Sequence, residues 1–168
     1  MEITYQGLRI VLPLDGIIMA EDVTLDASFN NHARISLLLL ADEEKIENSI
    51  HGLPDGASIE IYEKDVLFKG KVTEAVMVPY KGLHYLKIRA VSYTSEWGLV
   101  AVSQSFLNLD ATYEQVLGKV LANYPNADIK DCITRGAVIP DFLLQYEETD
   151  WDFLIRLASS FQSFLIPD

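Results

Sequence analysis

The spacing of apolar residues changes once along this chain, and that change constrains the fold more than any other feature. Up to about residue 95 apolar positions recur at every second residue, and beyond it they recur at helical spacing. Ile3 and Tyr5, then Leu8, Ile10 and Leu12, read as strand, with Gly7 as a bend or bulge and Pro13 to Gly16 as a turn. Val23, Leu25, Ala27 and Phe29 alternate until Asn30-Asn31 breaks the run, and Ala33 to Leu40 resumes it as another strand. Asp42-Glu43-Glu44-Lys45 opens a short helical turn running toward Asn48, ahead of the breakers Gly52 and Pro54 to Gly56. Ser58 to Tyr62, Val66 to Val78 and Leu83 to Tyr93 follow as strands, punctuated by Lys64-Asp65 and by Pro79 to Gly82. About six strands in the first 95 residues predict a small antiparallel barrel or closed sandwich.

After Trp97-Gly98 the pattern is helical. Thr112 and Gln115 have the spacing of a capping box, and Tyr113, Val116, Leu117, Val120, Leu121 and Tyr124 line one helix face up to Pro125. A loop with Asn126, Asp128 and Gly136 leads to a short strand at Leu143 to Tyr146. A second helix is expected from about Asp150 to Gln162, with Thr149 as N-cap, Asp152 three residues on, and Trp151, Leu154, Ile155, Ala158 and Phe161 at helical spacing. The expected architecture is therefore mainly β with α+β: a barrel over residues 1–98, then a smaller α+β subdomain over 99–168 with two amphipathic helices. Arg156 is a lone cation within an apolar stretch and needs a carboxylate partner, with Asp152 at i−4 as the candidate. Trp97 and Trp151 each sit beside apolar structure and read as core or junction anchors rather than a sugar-stacking platform.

A chain of 168 residues with 49% hydrophobic content can bury a sizeable core. Its formal net charge of -12 argues against a nucleic-acid backbone or an anionic membrane as binding surface. Residues 1–95 hold 14 acids and 9 bases and residues 96–168 hold 11 and 4, so the smaller part is the more acidic. Met1 to Leu12 lacks the basic start and apolar stretch of an export signal, and Ser36 to Ala41 is too short to span a bilayer, so synthesis in the cytoplasm without stable membrane insertion is expected. Cys132 is the single cysteine, and His32, His51 and His84 show no paired ligand spacing, so no metal or cofactor is expected. Glu147, Glu148, Asp150 and Asp152 form a carboxylate cluster that could supply a glycosidase acid and base, but acids at a helix N-terminus more simply complement its dipole. Neither a nucleophile elbow nor a phosphate-cradling glycine loop is present.

The stretch Gln145 to Ala158, QYEETDWDFLIRLA, resembles the signature of the phage late control protein D and VgrG-type baseplate hub family. Val23-Thr24-Leu25-Asp26, His32-Ala33-Arg34-Ile35 and Leu67-Phe68-Lys69-Gly70-Lys71-Val72 are similar, in that order, to the family's first barrel, where an "HA" strand precedes an F-x-G strand. Ser105-Phe106 ahead of the Thr112 helix extends the match, whereas Tyr93 to Leu99 departs from it. The resemblance implies a structural, non-catalytic component of a tail or injection particle, homotrimeric in full-length form and contacting tail tube and spike proteins. Phe164 to Asp168 looks like a strand that relatives continue into a second barrel, so a fragment is expected rather than a naturally short relative. A carbohydrate- or peptide-binding β module is the alternative, and a wall-degrading enzyme the third class.

Overall fold

A computed structural model describes every residue except Leu109, Asn126 and Asp168. The expected loop residue Asn126 and the last residue of the expected Phe164 to Asp168 strand lie outside the described residues. The chain divides into two compact units, Met1–Tyr93, to which Ile166 and Pro167 also belong, and Thr94–Leu165.

The first unit is a seven-stranded antiparallel sheet. Its strands are β1 (Glu2–Tyr5), β2 (Leu8–Val11), β3 (Ile17–Asp26), β4 (Arg34–Ala41), β5 (Ser58–Tyr62), β6 (Val66–Tyr80) and β7 (Leu83–Ser92), in the order β1-β2-β5-β6-β7-β4-β3. The two end strands approach one another, and the Tyr5 hydroxyl donates to the Glu21 carbonyl at 3.2 Å, so the sheet nearly closes into a barrel. Alternate residues point inward, and Ile10, Leu37, Leu39, Ile59, Phe68 and Leu86 are fully buried there. Helix α1 (Glu43–His51) adds Ile46 to this core, and its N-terminus is capped by the Asp42 carboxylate, which accepts the Lys45 N–H at 3.2 Å.

Two irregularities set which residues face in. Strand β3 carries register shifts between Ile17 and Met19 and between Ala20 and Asp22, so its inward residues are Ile17, Ala20 and Val23, three apart instead of two. Strand β6 shifts between Val72 and Glu74, so Phe68, Gly70 and Val72 face in before the shift and Ala75 and Met77 after it. At Gly70 an added Cβ would lie 2.2 Å from the Val91 carbonyl oxygen and 2.8 Å from the Phe68 ring. The F-x-G pattern thus has a steric origin: the phenylalanine fills the barrel where the backbones of β6 and β7 leave no space for a side chain.

The strand turns are tighter than the sequence suggests. Gln6-Gly7 and Lys81-Gly82 are two-residue hairpin turns with positive φ at both positions, and Pro79 lies inside β6, paired with His84. Ala27 to Phe29 leave the sheet after Asp26, and Phe29 is exposed in a turn because the register of β3 has carried the inward face past the end of the core.

A 3₁₀ turn (Tyr93–Gly98) starts on the last residue of the first unit and otherwise belongs to the second, which also contains two strands, β8 (Ala101–Phe106) and β9 (Leu143–Thr149), and two helices, α2 (Tyr113–Leu121) and α3 (Asp150–Ser160). Strands β8 and β9 pair antiparallel although 36 residues separate them along the chain. Phe106 stacks on Phe153 at 5.7 Å between ring centroids, Tyr113 meets Phe161 edge-on at 4.8 Å, and Val116, Val120, Leu154 and Leu157 complete the core. Strand β8 is not anticipated by periodicity, since serine and alanine occupy its outward positions. Helix α2 stops at Leu121, because Pro125 disfavours helical backbone at the residue before it, and Tyr124 is thereby released from the helix. Phe164 to Pro167 form no strand.

Candidate functional site

The stretch from Gln145 to Arg156 forms a polar brace inside the second unit. The Gln145 side chain is fully buried and at its centre. Its Oε1 accepts from Gln104 Nε2 at 2.7 Å across the β8–β9 pair, while its Nε2 donates to Asp150 Oδ1 at 2.8 Å and to the Glu148 carbonyl at 3.0 Å. Asp150, 2% exposed, accepts the Tyr124 hydroxyl on its other oxygen at 2.8 Å. Burial and the bond to Asp150 together push the Tyr124 pKa well above the usual tyrosine value. Four side chains from β8, β9, the start of α3 and the segment after α2 thus satisfy one another, as buried polar groups must.

A second tie lies at the surface of the same unit. Arg156 clamps Glu148 with both arms of its guanidinium, Nε to Oε1 at 3.0 Å and Nη2 to Oε2 at 2.7 Å, and also donates to the Leu144 carbonyl at 2.7 Å. The Glu148 bond holds the Arg156 pKa above its already high value. The expected partner Asp152 is instead engaged by Thr149. The Thr149 Oγ1 caps α3 by accepting the Asp152 N–H at 3.1 Å and donates to Asp152 Oδ2 at 2.7 Å. An extended chain ahead of the helix brings Glu148 beneath Arg156, which i−4 spacing along a helix does not reveal. Thr112 and Gln115 close a capping box on α2, with Gln115 Oε1 accepting the Thr112 N–H at 3.1 Å.

Trp97 and Trp151 are both buried, 6.1 Å apart, and Tyr124 lies 5.5 Å from Trp97. They offer no face for sugar stacking. Three of the four clustered carboxylates are committed: Asp150 to the brace, Glu148 to Arg156 and Asp152 to Thr149; Glu147 is exposed in a left-handed conformation. Asp150 is therefore an interior group rather than a surface charge. His84 lies 3.3 Å from Glu43, and no group of three or more metal-ligating side chains occurs among the described residues.

The barrel's outer wall carries a different feature. In Leu37 to Leu40 the first and third leucines point inward and the second and fourth outward. Leu40 lies in register with Tyr85 on one side and Met19 on the other, and Tyr85 with Val78, so an apolar row crosses β3, β4, β7 and β6. Val76, Tyr80 and Leu83, all substantially exposed, flank it on the β6–β7 hairpin. These residues give the outer wall of the barrel an apolar strip. Four successive leucines in a strand signal this row, since alternation accounts for only two of them.

No protein-family profile matches the chain, and no curated protein does. Among solved structures it is similar to the tail protein from Neisseria meningitidis MC58, with 15% identity and a TM-score of 0.61 over 92% of this chain and 45% of that one. It is also similar to the E. coli c3393 protein, a component of the type VI secretion system with structural similarity to the T4 bacteriophage tail proteins gp27 and gp5, with 11% identity and a TM-score of 0.52 over 88% of this chain and 46% of that one. The chain spans less than half the length of either. At these identities the likeness is one of fold: this chain folds like part of a tail protein and part of a type VI secretion component.

Proposed function

We propose that this chain is a structural component of a phage tail or related contractile injection apparatus, belonging to the baseplate hub at the junction of tail tube and spike. The observation that carries the reading is the fold likeness to a tail protein over 92% of the chain. The apolar row Val78–Tyr85–Leu40–Met19 supports it, because a barrel wall of this kind suits packing against a neighbouring subunit in a ring. In this reading the protein is not an enzyme, it assembles as a homotrimer in its full-length form, and tube and spike proteins are its partners. The late control protein D and VgrG-type resemblance of Gln145 to Ala158 favours the hub over other tail positions, and the brace keeps the second unit rigid within it.

The test is to purify sheathed particles from the producing cell and quantify this chain in them by mass spectrometry, with Met19→Lys and Val78→Lys introduced together as a comparison. The chain in intact particles at a multiple of three copies, lost in the double variant while the barrel still folds, is the expected result. A chain found only outside particles overturns the proposal, and clearing of cell wall by the purified protein in a zymogram overturns its non-catalytic part.

A further inference from the structure

Strands β8 and β9 turn one face toward the core of the second unit, where Phe106 and Gln145 are buried, and the other toward solvent. Exposure alternates along both strands, so that Ser103, Ser105 and Leu107 share the outward face with Phe142, Leu144 and Tyr146. Ser105 lies in register with Leu144, and Phe106 with Leu143, which places Leu107 next to Phe142 where the ladder ends. The four large apolar residues of this face are 44% to 70% exposed. The face is thus a ridge of three large side chains along β9 beside a shelf of serines on β8, closed at one end by Leu107. The register shift between Val102 and Gln104 shapes the other end: the Ser103 Oγ accepts the Glu147 N–H at 3.0 Å, and Tyr146 and Glu147, two successive residues, both stand exposed.

The charge around this face decides what can cover it. Residues 99–110 and 141–149, which carry the face and its margins, hold Asp110, Asp141, Glu147 and Glu148 and neither lysine nor arginine. Arg156 reaches the Leu144 carbonyl at the edge of β9, but it is committed to Glu148, and Lys119 lies by the inward-facing Phe106 ring. Asp141 and Glu147 are exposed at the two ends of the ridge, with no cationic partner among the described residues. A second copy of the chain would bring the same acids against one another, and an anionic bilayer would meet them with like charge. We propose that the outward face of β8 and β9 docks a basic amphipathic segment of a partner protein. The apolar residues of that segment lie on the serine shelf against Phe142, Leu144 and Tyr146, and its lysines or arginines meet Asp141 and Glu147. The face belongs to the second unit, is separate from the apolar row on the barrel, and does not rest on the hub reading.

The test is a titration of the full isotopically labelled chain, followed by amide resonances. The probes are a synthetic amphipathic peptide of leucine and lysine and its counterpart with glutamate for every lysine. The lysine peptide is expected to shift Ser103, Ser105, Leu144 and Tyr146 saturably by about 100 μM, and the glutamate peptide is not. Leu144→Lys and Tyr146→Lys together should abolish the shifts with the urea midpoint unchanged, since both side chains are exposed. Asp141→Asn and Glu147→Gln together should weaken binding about tenfold at low salt, whereas Glu21→Gln and Asp26→Asn on β3 should leave it as it is. No saturable shift, equal binding of the glutamate peptide, binding retained in the double lysine variant, or an equal loss on neutralising the β3 acids would overturn the proposal. So would a dimer of the parent chain in light scattering that Tyr146→Lys dissociates, a result that assigns the face to a second copy.

Discussion

Replacing Gln145 by leucine tests whether the buried brace holds the second unit together. Leucine fits the space but removes three hydrogen bonds at once, leaving one oxygen of the buried Asp150 and the Glu148 carbonyl without the amide that satisfies them. A buried acceptor stripped of its donor costs about 1–3 kcal/mol, more when it belongs to a carboxylate. Two such acceptors amount to about 3–5 kcal/mol, from which about 1 kcal/mol is recovered by the added apolar burial. The expected loss is therefore about 2–4 kcal/mol. Tyr124→Phe removes a single donor from the same carboxylate and should cost about 1.5–3 kcal/mol. The double variant should fall short of or exceed additivity by at least about 0.5 kcal/mol, because both side chains act on Asp150. Urea unfolding followed by tryptophan fluorescence is the assay, since both tryptophans of the chain, Trp97 and Trp151, lie in the second unit and report on it alone. A Gln145→Leu midpoint and slope equal to those of the parent protein would refute the brace as a source of stability.

Gly70→Ala should destabilise the barrel by more than about 3 kcal/mol, or prevent its folding, because the new methyl meets the Val91 carbonyl of the neighbouring strand; calorimetry of the barrel transition checks this. Arg156→Ala should cost only about 1 kcal/mol, since its side chain is 48% exposed and the pair with Glu148 is screened, and added salt should shrink the cost. An Arg156 and Glu148 double-mutant cycle with no coupling would show that the clamp contributes nothing. Tyr124 keeps its proton in the folded state beyond the pH at which an unfolded tyrosine, near 10.0, loses it. Its contribution is therefore complete below about pH 10 and is lost as pH rises through the higher folded value, so the stability gap between the parent and Tyr124→Phe should narrow above pH 10. A constant gap from pH 8 to 11 in urea titrations would contradict that sign.

Local chemistry was legible in the sequence wherever it is written in adjacent residues. Caps at Thr112 and Thr149, the alternation of β4 and β7, and the helical spacing around Val116 and Leu154 depend on neighbours a few residues away. Features set by distant pairing were not legible. Strand β8 exists because β9 pairs with it across 36 intervening residues, and its serines carry no strand signal of their own. The role of Gln145 was hidden because a glutamine in a strand is ordinarily a surface residue, and only the joint positions of Gln104, Tyr124 and Asp150 make it an interior one. A lone Arg156 in an apolar stretch implies a carboxylate, and it has one, but the chain reaches it through an extended segment rather than along the helix. Tyr124 fits the apolar face of α2 by spacing and nevertheless leaves the helix, since Pro125 decides its backbone.

The shifts of register in β3 and β6 bear on how such a barrel can drift in sequence. In a regular strand, gaining or losing one residue turns every following side chain from the interior to the surface, a change few barrels survive. A strand that already holds an unpaired residue can take up the change by letting that residue move, merge or vanish, with the inward set on either side left in place. Ile17, Ala20 and Val23 on one strand, and the step from Val72 to Ala75 on the other, are where such changes are expected within strands instead of only in loops. Alignments that allow gaps solely between strands would misplace half of each of these strands by one residue, exchanging inside for outside.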